Sequence, residues 1–272
     1  MCKVLKVSRS SYYKYLHKKP SNRLLENQKI EKEILKIHKD SKNNYGAIKI
    51  NKELKAKGII ISIKKTQRLM SKLGIKSIII KKYRPASSKK RIEAQENVLK
   101  RDFSATTINE KWVTDITYIH TIKDGWCYLA SVMDLYSRKI IGYAMCKSID
   151  TALALQAVKN AIKLQKPTKP LILHSDLGCQ YTSSAFKDYI ESTKLITHSF
   201  IGKGCPYDNA CIGSFHASLK KEAVHLVKYF DYDAARLAIF EYIEAWYNRK
   251  RINGGIGYLT PQKCEDLARK IS

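Results

Sequence analysis

Residues 111–120, KWVTDITYIH, decide the architecture. Trp112, Val113, Ile116, Tyr118 and Ile119 are strand formers, and Asp124–Gly125 supplies a turn just downstream, so the run predicts a β-strand. A two-residue period puts Val113, Asp115 and Thr117 on one face and Trp112, Thr114, Ile116 and Tyr118 on the other. Asp115 is then a carboxylate inside an otherwise apolar strand, where a buried charge is costly unless something compensates it. Either the strand is an exposed edge, or a cation meets Asp115 with help from a second carboxylate.

Downstream of this strand the pattern alternates. Cys127–Tyr136 and Lys139–Met145 read as two more strands around a Ser137–Arg138 turn, which makes an antiparallel meander. Asp150 caps a helix, TALALQAVKNAIKL, and Pro167 and Pro170 bracket a short connection. LILHSD (171–176) is a buried strand ending in a carboxylate. Ser183–Lys194 reads as a helix, Ile196–Ile201 as a strand, and GKGCPYDN (202–209) as a loop. The last helices are expected from Ala210 to about Val227 and from Asp233 to about Asn248, with Ile239, Ile243 and Trp246 or Tyr247 turned inward.

Upstream, residues 22–74 hold three helix patterns. Leu24, Ile30, Ile34 and Ile37 mark the first, and Ile50 and Leu54 mark the second, which stops at Gly58. The third follows Ser62, a good cap, and stops at Gly74. Ile63, Leu69, Met70 and Leu73 face inward there, leaving Lys64, Lys65, Gln67, Arg68 and Lys72 outward. Two short helices with a basic outer face on the second fit a helix-turn-helix reader of DNA; a solvated amphipathic helix is the plainer alternative. The opening MCKVLKVSRSSYYKYL reads as the tail of a small helical unit, with Ser8 as cap and Tyr12, Tyr13 and Leu16 as an apolar face. Its start in mid-pattern suggests sequence lost or encoded separately upstream. Residues 77–108, with KKYRP at 81–85 and SSKKR at 87–91, form a basic linker that also suits phosphates. The expected division is therefore 1–20, a helical remnant; 21–76, the helix-turn-helix; 77–108, the linker; and 109–272, the core.

Charge favours the DNA reading. The 272 residues carry a formal net charge of +27. Residues 1–101 hold 29 Lys and Arg against 7 Asp and Glu, net +22, and the remainder holds 22 against 17, net +5. Such an excess points to a polyanion, concentrated on the first third. The seven cysteines (Cys2, Cys127, Cys146, Cys179, Cys205, Cys211, Cys264) are odd in number and show no CxxC, as expected of a reduced intracellular chain without a zinc framework. No apolar run approaches a membrane span, and a cytoplasmic, nucleoid-associated location is expected.

Asp115 in mid-strand and Asp176 at a strand end can converge where open α/β sheets build their sites. Paired carboxylates suit Mg²⁺ or Mn²⁺, and such ions support in-line phosphoryl displacement. A ribonuclease acting on RNA is compatible with that pair, but leaves the basic N-terminal third unexplained. His174 and His216 read as packed or hydrogen-bonded side chains, Asp134 as a turn support, and Trp246 and Tyr247 as core aromatics.

Longer motifs add a resemblance. WVTDITYI, YLASVMDLYSRKIIGYAM, HSDLGCQYTSSAF, KGCPYDNACIGSFHASLKKE and YNRKR…GYLTPQ resemble the catalytic subunit of insertion-sequence transposases with a retroviral-integrase-like core. YGAIKINKELKAKGI…TQRLMSKLGIKS resembles the helix-turn-helix that precedes that core, so the likeness covers nearly the whole chain. The resemblance implies an α/β, ribonuclease-H-like integrase core, a mixed sheet with flanking helices, preceded by a small all-α domain. It implies metal-dependent cleavage and transfer of double-stranded DNA at element ends and target, by a homo-oligomer, and a possible partner subunit from an upstream frame. Asp115 and Asp176 match the first and second acidic residues of the family's triad.

The third acidic residue is missing. Where the family reads glutamate–serine–phenylalanine, this chain reads Gly213–Ser214–Phe215. The interval from Asp176 is also one residue longer than usual, which places an insertion near Ser192–Leu195, and Asn253 stands where a histidine is common. Glu222, nine residues past Gly213, is half a turn out of phase on a helix and cannot substitute; Asp208 is the nearer candidate. The expectation is an impaired enzyme or, alternatively, a non-catalytic protein that occupies element ends or inhibits active transposase.

Overall fold

A computed structural model of the chain describes residues 2, 4, 6–17, 19–78, 104–200 and 209–271. It divides into two compact units, Met1–Ile78 and Ile79–Ser272.

The first unit is helical: α1 (Arg9–Leu16), α2 (Asn22–Asp40), α3 (Ala47–Ala56) and α4 (Ile63–Lys72). Side chains that prefer caps begin three of them, Ser8 on α1, Ser21 on α2 and Ser62 on α4; the Ser62 hydroxyl accepts from Lys65 N at 3.1 Å. Gly58 (φ +80°) and Gly74 (φ +68°) let the chain turn left-handed after α3 and α4, where a Cβ would be strained. Ile30, Ile34, Ile37, Ile50, Leu54, Leu69 and Met70 form the core. Asn51 ties the α3–α4 turn by donating to Ile61 O at 2.9 Å and Thr66 Oγ1 at 3.0 Å.

Three sequence expectations are corrected here. Leu24 and Ile63 are exposed, at the first turns of their helices. Thr66 is buried in α4 instead, and its hydroxyl is satisfied by Ser62 O, so its polarity carries little penalty. No residue of α1 is buried, so the face drawn through Tyr12, Tyr13 and Leu16 enters no core among the described residues. Most of the 77–108 stretch, residues 79–103, lies outside the described residues.

The second unit is built on one sheet. Its strands are β1 (Lys111–Thr121), β2 (Gly125–Asp134), β3 (Ile140–Cys146), β4 (Leu171–Ser175) and β5 (Ile196–Phe200), in the order β3-β2-β1-β4-β5. β1, β2 and β3 are antiparallel, while β4 and β5 run parallel to β1. β1 is the central strand, which excludes the exposed-edge reading for residues 111–113, where β4 pairs with it. Helix α5 (Thr151–Gln165), capped by Asp150, crosses from β3 to β4. It packs through Ala154, Ala157, Val158 and Ala161 into a core shared with Trp112, Val132, Leu173 and Phe186. A Cβ on Gly142 of β3 would stand 2.6 Å from Ala161 Cβ, so only glycine lets helix and strand approach this closely.

After β4 come α6 (Cys179–Thr182), a short helix that the sequence pattern leaves unmarked, and α7 (Ser184–Ser192). Then α8 (Ala210–Leu219) packs Ile212, Phe215, His216 and Leu219 inward. The expected straight helix to Val227 is corrected: α8 widens into a π-helical turn over Lys220–Val224. The next helix, α9 (Tyr232–Glu241), likewise opens into a π turn at Tyr242–Tyr247, and α10 (Pro261–Ile271) closes the described chain. The two π turns meet at Glu222. It accepts from Arg251 Nη2 at 2.8 Å, and from Trp246 Nε1 and Tyr242 OH, both at 3.0 Å. A buried carboxylate with so many donors fixes how the two wide turns face each other.

Candidate active site

The pairing of β1 with β4 is short, and that shortness makes the site. The register runs Lys111↔Ile172, Trp112↔Leu173, Val113↔His174. Continued two residues, just past the end of β4, it would set Asp115 beside Asp176, and the two carboxylates are close enough for their charges to interact. β4 ends at Ser175, so from Asp115 onward the β1 edge loses its neighbour. The orphaned backbone groups are met by side chains: Asp115 Oδ1 accepts from Ile116 N at 2.8 Å, and Asn209 Nδ2 donates to Thr114 O at 3.2 Å. The crevice opens where the antiparallel meander gives way to the parallel pair, the switch point at which open α/β sheets receive ligands.

Asp176 lies just past β4, held by Gly178 N, which donates to its Oδ1 at 3.1 Å. Burial and then the charge of Asp115 push its carboxyl above the ordinary 3.8, against the pull of the Gly178 amide. Two like charges are thus held close in a partly dry place, an arrangement that a hard cation relieves. Behind it, Ser175 Oγ donates to Asp176 O at 3.0 Å, and His198 Nε2 reaches Ser175 Oγ at 2.9 Å. Burial lowers His198 to about 4, so its ring is neutral at physiological pH.

Helix α8 lies over this crevice. Asn209, Gly213, His216 and Lys220 follow one another at three- and four-residue steps, so they share a stripe. Asn209 touches Thr114; His216 Nδ1 stands 3.4 Å from Asp115 Oδ2; Lys220 Nζ lies 4.0 Å from the Tyr118 ring centroid. Burial lowers the Lys220 ammonium, and Asp115 partly restores it. Gly213 occupies the remaining place in the stripe, and a Cβ built there meets nothing within 4 Å. The donor chemistry fits a divalent metal ion in part, with two carboxylates in place and open space where a third would project. Glu222 points elsewhere, into its pairing with Arg251, and Asp208 lies outside the described residues.

The helical unit places its sequence-predicted contacts unevenly. Lys64, Gln67 and Arg68 are exposed. Lys72 Nζ pairs with Glu31 of α2 at 2.7 Å, and Lys65 lies 3.8 Å from Glu26. No helix among the described residues is long and apolar enough to cross a membrane.

Comparison with known proteins places this geometry. An HTH-like domain matches residues 25–83, and integrase core domain models match 105–206 and 194–261. Transposase InsF for insertion sequence IS3A of Escherichia coli (strain K12) is 35% identical over 269 residues, covering 98% of this chain and 93% of that protein. The chain belongs to the insertion-sequence transposase family. An uncharacterized 31 kDa protein of insertion element IS600 from Shigella sonnei is likewise 35% identical, over 262 residues and 96% of each chain. Among solved structures, the HTLV-2 integrase catalytic core domain in complex with magnesium aligns at a TM-score of 0.45 and 17% identity, covering 60% of this chain and 99% of that one. That likeness is one of fold alone.

In this transposase His216 is buried and hydrogen-bonded, as expected, with Ser131 as partner; its ring also reaches the Asp115 carboxylate, a contact hinted at by its place three residues after Gly213 on the same helix face. Asn209 was read as loop, although its amide replaces a missing strand.

Proposed function

We propose that this transposase binds the ends of its element and takes part in cutting and joining DNA strands, with chemistry weakened by Gly213. The observation that carries the reading is the β1–β4 register, which brings Asp115 and Asp176 together at the open end of the sheet. Asp115 and Asp176 would hold the divalent ion, Mg²⁺ or Mn²⁺; when bound, it activates a water or 3′-hydroxyl and stabilises the leaving oxygen. The protein's own part is placement. The Gly178 amide fixes one Asp176 oxygen, and the Ile116 amide fixes one Asp115 oxygen, so each carboxylate keeps its other oxygen for the site. Lys220, half-buried beside Asp115, puts a positive charge where a DNA phosphate would lie. Lys64, Gln67 and Arg68 on α4 are the groups offered to duplex DNA, with Lys65 and Lys72 drawn towards α2. Joining two ends calls for more than one copy, and a partner from an upstream frame is compatible with this arrangement.

The test is strand transfer on the element's own ends with Mg²⁺ or Mn²⁺. Asp115→Asn and Asp176→Asn should each abolish transfer, whereas Gly213→Glu should raise it about tenfold or more, the scale on which metal-site perturbations act. Transfer unchanged by either Asn substitution would overturn the assignment of the pair; equal transfer by wild type and Gly213→Glu would overturn the impairment. The same missing carboxylate favours a second reading, a DNA-binding protein without chemistry that occupies element ends. It predicts end binding with no transfer in wild type and none gained by Gly213→Glu.

A further inference from the structure

One helical step from the absent carboxylate, a nitrogen donor stands beside Asp115. His216 sits three residues after Gly213 on the inward stripe of α8; it is 6% exposed, and its Nδ1 lies 3.4 Å from Asp115 Oδ2. That separation is long for a charge-assisted hydrogen bond, which runs about 2.7–2.9 Å. It also matches the spacing of two donors on one ion: zinc-type bonds of about 2.0–2.2 Å to nitrogen and oxygen put neighbouring ligand atoms about 3.0–3.5 Å apart. The other ring nitrogen completes the pattern. His216 Nε2 is 3.4 Å from Ser131 Oγ, on a buried residue that pairs with Asp115 across β1 and β2. A histidine that ligates through one nitrogen characteristically donates its other N–H to a nearby oxygen, which fixes the tautomer. With the proton on Nε2 and directed at Ser131, the Nδ1 lone pair faces the Asp115 carboxylate. Among the described residues no three His, Cys, Asp or Glu side chains already enclose a point; Asp115 and His216 are two donors, with Asp176 just past the end of the adjoining strand.

We propose that His216 supplies a ring nitrogen to the divalent ion at Asp115, giving this chain a mixed nitrogen–oxygen centre that favours Mn²⁺ over Mg²⁺. This rests on the reading of Asp115 and Asp176 as metal ligands and goes beyond it. Mg²⁺ keeps to oxygen, while an imidazole draws the later, softer divalent ions. The long contact, the buried ring and the open space at Gly213 thus have one explanation: a nitrogen has replaced an oxygen donor one helical step along.

The experiment uses the full-length chain and Mn²⁺ alone, read by electron paramagnetic resonance, with pulsed detection of nitrogen coupled to the bound ion. Wild type should bind Mn²⁺ with a directly coupled nitrogen. His216→Phe, which keeps the ring volume under α8, should lose that coupling and bind Mn²⁺ about tenfold more weakly, with Mg²⁺ affinity moving far less. Should His216→Phe fail to fold, His216→Gln takes its place, and histidine labelled with ¹⁵N must change the coupling in wild type. Mn²⁺ bound in an Asp115-dependent way without coupled nitrogen, or coupling that survives loss of His216, would overturn the inference and leave the carboxylate pair standing. Mn²⁺ binding indifferent to both Asp115→Asn and Asp176→Asn would overturn the pair itself.

Discussion

Gly213 stands where the resemblance leads one to expect a carboxylate. Gly213 lies inside α8, away from any turn, with a right-handed backbone and no atom near enough to object to a side chain. Nothing in its conformation requires glycine, so its conformational freedom is simply a cost to the helix. Gly213→Ala should therefore stabilise the protein by about 1 kcal/mol in chemical denaturation, with m-value unchanged. A destabilised alanine variant would show that the space at Gly213 is needed by the fold. From sequence alone Asp115 could be placed on its strand and Asp176 within one residue of the end of another, because a two-residue period and a strand-ending carboxylate are local signals. His216 could not be placed beside Asp115, since that contact depends on how α8 docks across β1, a long-range fact that no spacing encodes.

Among the elements, the π turns carry the least expected structure. Glu222 was set aside as a catalytic substitute on helical phase, and its carboxylate does serve another purpose, joining the turn after α8 to the turn after α9. Burial would raise Glu222, but the Arg251 guanidinium, with Trp246 and Tyr242, holds it below the ordinary 4.5. A depressed carboxylate stabilises the fold above its unfolded pKa, and that contribution is lost as pH falls through the lower folded value. Glu222→Ala should cost about 3–5 kcal/mol near neutral pH because it strands Arg251 in a buried site. Glu222→Gln, which keeps hydrogen bonding, should be milder, and its deficit against wild type should shrink as pH drops below 4.5. A deficit independent of pH in thermal melts would mean the charge contributes nothing. Helix starts were legible where Ser62 and Asp150 cap them and Gly58 and Gly74 end them, because those signals act within one turn. The π turns were not, and the salt bridge beside them joins Arg251 to Glu222 across 29 residues, beyond the reach of any local pattern.

At the scale of the molecule, positive charge is concentrated towards the N-terminal side. The first 101 residues hold a net +22, against +5 for the rest. DNA affinity should fall steeply with salt, and the slope should identify the contributors. Lys64→Ala and Arg68→Ala should each weaken binding and reduce the log–log salt slope by about 0.9. Lys72→Ala should change it less, because that ammonium already has Glu31 at 2.7 Å. Slopes unchanged from wild type in all three variants, read by fluorescence titration, would remove α4 from the interface.

The two compact units have one more consequence. Residues Met1–Ile78 close their own core, as do Ile79–Ser272, so the part that chooses an address need not be the part that handles the ion. A chimera carrying a relative's first unit is expected to follow the relative's element ends while retaining this chain's manganese preference. Destination and tool would then be inherited separately, and altering one would leave the other untouched.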